Sequence, residues 1–353
     1  MVTFSREHHR ETVAKAVKAL QVRINTAERL VRIQRAGWDA GVLGDATPAM
    51  RQRTFRDLLD MIVAYKDSVA AVYYTSRTMG LNGYYVERTA DSGYAYQVWD
   101  TDASGTFLNY AIDPESGARI GDIYETPGYN ASDEVWVTTV MPPRKHAPPM
   151  WTKPYGWGTT LWLTLSNPVF GSEGELAAIA GVDFDLGFIT SILQKILDEQ
   201  KQKAEGTAAA AANVTTYLFD ASGDAILGSS IPSNIITRLE FDGNYRTLSM
   251  AELGDSVDPR LDLVSDYIRA QNSRLGARAR WSFTVPGYFV ETAIVNSTYP
   301  GSNLRWILVQ LASQDPVINP LNDAANITKA RLVPRSPCHF LRPLVCREPC
   351  LLG

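Results

Sequence analysis

Val13, Val17, Leu20, Ile24, Ala27 and Val31 recur at alternating spacings of four and three. That spacing returns to the same side of an α-helix at every turn, so it draws one apolar stripe along a long helix within residues 1–46. Glu11 with Lys15 and Glu28 with Arg32 stand one turn apart and add supporting charge pairs. A stripe of this length has to be covered. Packing against the rest of the chain covers it most simply, and a homodimer seam along the same helix is the second way. Gly41 and Gly44 end the pattern, and Thr47 followed by Pro48 starts a second helix with apolar residues at Phe55, Leu58, Leu59, Ile62 and Val63.

The period then changes from helix to strand. "SVAAVYYT", "GYYVER", "YAYQVW" and "TFLNYAI" are short, aromatic and β-branched, and Gly, Asp and Ser separate them. "TLWLTLSNPVF" and "LAAIAGVDF" follow, and a helix from Phe188 to about Lys203 closes the group. After the alanine run at 208–212 the programme restarts with "VTTYLFDASGDAILGSS", a helical stretch from Leu261 to Ala270, and the strands "RARWSFTV", "YFVETAIV" and "LRWILVQLA". Helices, then strands, then a helix describe an α+β chain rather than a doubly wound one. "DASG" occurs at 102–105 and again at 220–223, each time as a turn between strand-like runs. The matching order of elements predicts two related domains, over 47–205 and 206–320. Residues 331–353 hold four prolines and three cysteines without periodicity, so the segment 321–353 reads as a disordered or aberrant tail.

With 353 residues, 45% of them hydrophobic, the chain can bury one or two real cores. Its 34 basic and 38 acidic residues are spread without blocks, which argues against a nucleic-acid partner. No window reaches the roughly 18 to 20 apolar residues of a membrane helix, and the start lacks the apolar centre of a signal peptide. Cys338, Cys346 and Cys350 all lie in the tail, leaving the body without a disulfide or thiol nucleophile. Sequons at Asn130, Asn213, Asn296 and Asn326 hint at an extracytoplasmic location.

Nothing in the sequence supports catalysis. The four histidines are His8, His9, His146 in "PPRKHAPP" and His339, and none falls in an expected core element. There is no GxSxG elbow, no GxxxxGK loop and no complete GxGxxG. "DTDASGTFLNYA" begins like a calcium loop but has Ala111 where the bidentate Glu belongs, so it reads as a hairpin turn. No metal and no cofactor are expected.

The order "YNASDEVW", "MWTKPYGWG", "LWLTLSNPVF", "AAIAGVDFDL" resembles the distal half of double Cache sensor domains, and "VTTYLFDASGDAILGSS" with "LRWILVQLASQDPV" resembles the ends of their membrane-proximal half. The resemblance covers about residues 5–320. It implies a long N-terminal helix leading into two stacked PAS-like (Cache) domains with antiparallel sheets: a membrane-distal one over 47–205, ending in a connecting helix, and a membrane-proximal one over 206–320. It also implies a non-catalytic sensing module on the extracellular face of a membrane-anchored receptor. The membrane helices that flank this unit in the family are not in the chain as written, which fits a fragment, a truncated form or a soluble variant. Two other readings stand beside it. One is an interaction domain with a degenerate pocket, like the Cache regions of calcium-channel auxiliary subunits, although their DxSxS motif is not found. The other is an unrecognised hydrolase.

In the amino-acid-binding subset of that family, the distal pocket uses an Arg two residues before a Trp, a Tyr just after it, a later Tyr, an acid two residues beyond, and an Asp on the last strand. By similarity Trp136, Tyr155 and Asp183 hold three of those places. Glu134 stands in place of the Arg, Val137 in place of the adjacent Tyr, and Trp157 in place of the second acid. The resemblance therefore implies a small-molecule site of Glu134, Trp136, Tyr155, Trp157 and Asp183 that favours an amine over an anion, with Arg144 in the neighbouring loop as the one nearby group able to reverse that preference. Strand alternation points Asp183 away from Val182 and Phe184, off the core face.

Overall fold

A computed structural model describes residues 2–313, except 76–77, 90–92, 143–146, 158–159, 172, 204–213, 232–236, 240–244, 257 and 272–279. The expected tail, the boundary near residue 206, and Arg144 and His146 lie outside the described residues.

The apolar stripe becomes helix α1, Val2–Asp39. Five of its six residues are fully buried and Val17 is packed against the same core, so the stripe is covered by the chain's own sheets. Lys15 pairs with Glu11 at 3.0 Å, as its spacing predicts. Glu28 departs from its expected pairing. Its carboxylate turns inward to the hydroxyls of Ser297 and Thr298, while Arg32 bonds the Glu28 carbonyl at 3.2 Å and lies over the Tyr299 ring. His9 also departs from expectation, being buried on α1. Helix α2, Pro48–Tyr65, begins where Thr47 Oγ1 accepts the Met50 amide at 3.2 Å, and it buries Leu58 and Ile62.

Two antiparallel sheets follow. The first has the order β5-β4-β3-β2-β1-β9-β8-β6, with β7 also paired to β8. Its strands are β1 Ala71–Thr75, β2 Leu81–Arg88, β3 Tyr94–Thr101, β4 Phe107–Ile112, β5 Arg119–Thr126, β6 Met150–Trp151, β7 Tyr155–Trp157, β8 Thr160–Phe170 and β9 Leu176–Asp185. The short helix α3, Val135–Thr138, lies between β5 and β6, and α4, Leu186–Lys203, follows β9. The second sheet has the order β11-β10-β16-β15-β14, from β10 Val214–Asp220, β11 Ile226–Ser229, β14 Arg280–Val285, β15 Tyr288–Asn296 and β16 Arg305–Ser313. A small separate ribbon joins β12 Thr237–Leu239 to β13 Tyr245–Thr247.

In both sheets the first strand is an interior one and pairs with the last, β1 with β9 and β10 with β16. This is the expected α+β class: a long N-terminal helix, then two PAS-like antiparallel sheets. The first sheet differs by three strands added beyond β2. The two "DASG" segments form the same turn, with Ser bonded to the Asp carboxylate and Gly at φ 80° and 75°. They occupy different places in the two sheets, however, after the third strand in one and after the first in the other.

Helix α1 runs across both sheets. Near its start Arg10 meets Glu291 on β15, and near its end Trp38 packs edge-on against Tyr74 on β1. The main core lies under this helix and includes Val72, Leu163, Leu165, Val182 and Phe184. A second core fills the opposite face of the second sheet, around Tyr217, Phe219 and Leu261. A third fills the opposite face of the first sheet, around Tyr73, Trp99 and Trp136. Asp183 belongs to that last face.

Candidate ligand-binding site

Asp183 sits near the C-terminal end of β9, directly opposite Ala71 on β1 and Thr164 on β8. Alternation turns Val182 and Phe184 toward α1 and Asp183 the other way, as expected. Its side chain is not exposed for that reason, since Asp183 is only 3% accessible. The Oδ1 atom accepts the Tyr73 hydroxyl at 2.7 Å and the Thr164 hydroxyl at 2.6 Å. Thr164 spends its one proton on Asp183, so the Tyr155 hydroxyl, 2.7 Å away, donates to Thr164. Among the described residues nothing donates to Asp183 Oδ2.

The local sequence explains how Tyr73 gets there. Its ring lies across β9 where Gly181 has no side chain, and a Cβ on Gly181 would stand 2.3 Å from Tyr73 Cε2. Gly181 and Asp183 are two residues apart, hence on the same face. The glycine lets the ring cross the strand, and the hydroxyl then reaches the carboxylate.

The structure brings all five expected residues to one cavity. Glu134 stands at the start of α3 and Trp136 lies within it, Tyr155 and Trp157 come from β7, and Asp183 forms the floor. Tyr73, Trp99, Tyr129 and Trp162 complete an aromatic enclosure that the sequence reading did not name. The rings meet edge to face, Tyr73 against Trp136 at 4.9 Å and Trp99 against Trp157 at 5.0 Å between centroids. Thr164 and Trp162 had a readable signal, because β8 alternates Leu161, Leu163 and Leu165 with Trp162, Thr164 and Ser166. Tyr73 had none, since every residue of β1 is buried.

Two carboxylates share this cavity, and among the described residues no Lys or Arg lines it. Burial pushes the Asp183 carboxyl up to about 7, against the opposing effect of the Thr164 and Tyr73 hydrogen bonds. Burial also raises Glu134, while its hydrogen bond from the Tyr129 hydroxyl at 3.3 Å works in the opposite direction. Tyr73 and Tyr155 are held well above the usual phenol range by burial and by the nearby Asp183 charge. The free volume is about 10 Å³, space for about one water, so the walls close on one another.

No family model matches the sequence, and no curated protein matches it. Solved structures do resemble the fold. One is described as methyl-accepting chemotaxis protein X, 14% identical with TM-score 0.47, covering 88% of this chain and 97% of its own. Another is the extracellular domain of a protein assigned as a histidine kinase, 8% identical with TM-score 0.49, covering 94% and 97%. A third is the ligand-binding domain of the Pseudomonas aeruginosa amino-acid chemoreceptor PctC in complex with GABA, 16% identical with TM-score 0.46, covering 86% and 98%.

Proposed function

We propose that the chain is a non-catalytic sensing module whose distal cavity binds a small organic cation. The observation that carries this reading is Asp183, a buried carboxylate with hydroxyl partners and, among the described residues, no cation beside it and no donor to its second oxygen. An ionised carboxylate in such a place is costly until something positive arrives. An ammonium would supply the missing charge and donate to Oδ2. The surrounding Trp and Tyr faces would hold its alkyl substituents through cation–π contacts worth roughly 0.5 to 2 kcal/mol each. Glu134 adds a second negative group, and an anionic ligand would meet two carboxylates with no compensating charge.

Entry requires a wall to move. Among the described residues β7 is three residues long and pairs with β8 alone, so Trp157 is the wall that would move. In a full-length parent the module would stand on the extracellular face of a membrane, and no helix among the described residues is long and apolar enough to cross one. A homodimer through α1 would have to use the side where Val22 and Ile33 remain exposed, because the apolar stripe is already buried.

Calorimetry with alkylamines and quaternary ammonium compounds against dicarboxylates tests the reading, using wild type, Asp183→Asn and Glu134→Gln. Amines should bind wild type and weaken in both variants. Dicarboxylate binding without amine binding, or amine binding indifferent to both substitutions, would overturn it.

A further inference from the structure

A second buried carboxylate lies in the other sheet. Glu291 is in the middle of β15, opposite Ser282 on β14 and Gln310 on β16, on the face that carries Ala293 and Val295 toward α1. Its side chain is 4% exposed. One oxygen accepts the Ser282 hydroxyl at 2.7 Å. The other lies 3.5 Å from Arg10 Nε, a charge contact without a hydrogen bond. Arg10 is itself 55% exposed, so the guanidinium is only loosely engaged. Beside this pair lies a cavity of about 210 Å³, bounded by Arg10, Ser282, Thr284, Phe289 and Glu291. It has room for several waters, or for a small solute in their place.

We propose that this cavity is a second ligand site, selective for a small zwitterion that carries an ammonium and a carboxylate a few atoms apart. Charge balance favours such a ligand. Arg10 and Glu291 together are neutral, so a neutral ligand bearing both charges can replace their loose contact without leaving either unpaired. The ammonium would bond Glu291 and Ser282, and the carboxylate would take Arg10 in the forked geometry that guanidinium favours. The Phe289 ring offers a surface for a short apolar substituent. A simple amine would face Arg10 uncompensated, and a simple carboxylate would face Glu291. Among the described residues the distal cavity holds two carboxylates and no cation, so the two sites select different ligand classes. Arg10 belongs to α1 and Glu291 to β15, so an occupant would also reset the contact between the start of the long helix and the second sheet.

The test is calorimetry with glycine, L-alanine and β-alanine as zwitterions and with n-propylamine and propionate as single-charge controls. The proteins are wild type, Arg10→Gln, Glu291→Gln and Asp183→Asn. At least one zwitterion should bind wild type, weaken by about tenfold or more in Arg10→Gln and in Glu291→Gln, and bind Asp183→Asn unchanged. Three outcomes overturn the proposal: no binding by any of the three zwitterions, zwitterion binding lost in Asp183→Asn but kept in Arg10→Gln, or propylamine binding that Glu291→Gln abolishes. Arg10 is exposed, so Arg10→Gln decides the matter even where Glu291→Gln fails to fold. Amine binding at Asp183 is read separately in the same panel, so either site can fail without the other.

Discussion

Asn303 grips the backbone of Trp151 from both sides: its Oδ1 accepts the Trp151 amide at 2.7 Å and its Nδ2 donates to the Trp151 carbonyl at 2.8 Å. Trp151 belongs to β6 in the first sheet, and Asn303 lies just before β16 in the second. The next residue, Thr152, accepts the Thr164 amide on its hydroxyl at 2.9 Å, and the Thr164 side chain bonds Asp183. A short path of hydrogen bonds and backbone therefore leads from Asp183 in the first sheet to the start of β16, the central strand of the second. Trp151 adds ring contacts to Phe184 and Trp306 along the same line.

Replacing Asn303 by Ala removes both bonds and leaves the Trp151 amide and carbonyl to water or to nothing. The expected loss is about 1 to 2 kcal/mol, the sum of two modest hydrogen bonds. Hydrogen exchange should show the Trp151 amide opening faster while amides in the centre of β9 keep their protection. Unchanged exchange at Trp151 would mean that β6 is held by β8 alone.

Asp183→Asn should stabilise the protein, and by an amount that grows with pH. A carboxyl at about 7 in the fold and about 4 in the unfolded chain binds more protons when folded across that window. Its contribution is most favourable below about pH 4 and is lost as pH rises through about 7. Asparagine keeps an oxygen for Tyr73 and Thr164 but carries no charge. The gap in stability between variant and wild type should widen from pH 5 to pH 8, with a ceiling of about 4 kcal/mol for three units. Chemical denaturation at the two pH values reads it directly, and a gap that stays constant or narrows contradicts a buried, unpaired carboxylate.

Gly181→Ala tests how the site is assembled. The new methyl would press on the Tyr73 ring, which cannot retreat because its own Cβ side is wedged against Gly83. Overpacking of this kind costs about 1 to 3 kcal/mol. It should also pull the Tyr73 hydroxyl from Asp183, so the variant should lose amine affinity beyond its loss of stability. Substitution without effect on either would show that the ring has another place to lie.

The sequence was most legible where a periodic signal met a single requirement. The stripe from Val13 to Val31 needed covering, and it is covered. Thr47 with Pro48 could only start a helix, and Thr47 accepts the Met50 amide there. The face of Asp183 followed from alternation alone. What could not be read was partnership. Glu28 had a suitable charge one turn away at Arg32, yet it bonds Ser297 and Thr298, which are some 270 residues distant and become neighbours only when the second sheet packs on α1. Tyr73 sat in a uniformly buried strand, where alternation marks no face. β5 was missed because all but one of its residues are exposed, which leaves no buried face to impose alternation. Its register against β4 also shifts between Asn109 and Ala111, and Gly121 takes φ 73°.

Amine binding at the Asp183 cavity should release protons. Without ligand, Asp183 titrates at about 7, so at pH 6 most molecules carry a neutral Asp183. An ammonium seated on Oδ2 favours the ionised form and pulls the carboxyl back toward its ordinary range, so a proton must leave as the cation arrives. The same reasoning makes amine affinity rise from pH 5 to about pH 7 and then level off, until the amine itself begins to deprotonate. A quaternary ammonium removes that last complication, since it has no proton to lose. Calorimetry at pH 6 in two buffers of different ionisation enthalpy measures the release as a difference in observed heat. The expected value approaches one proton per cation bound in wild type and falls toward zero in Asp183→Asn, with Glu134 supplying whatever fraction remains. Binding of a quaternary ammonium with no proton release and no pH dependence would place the cation away from Asp183, even if its affinity were high.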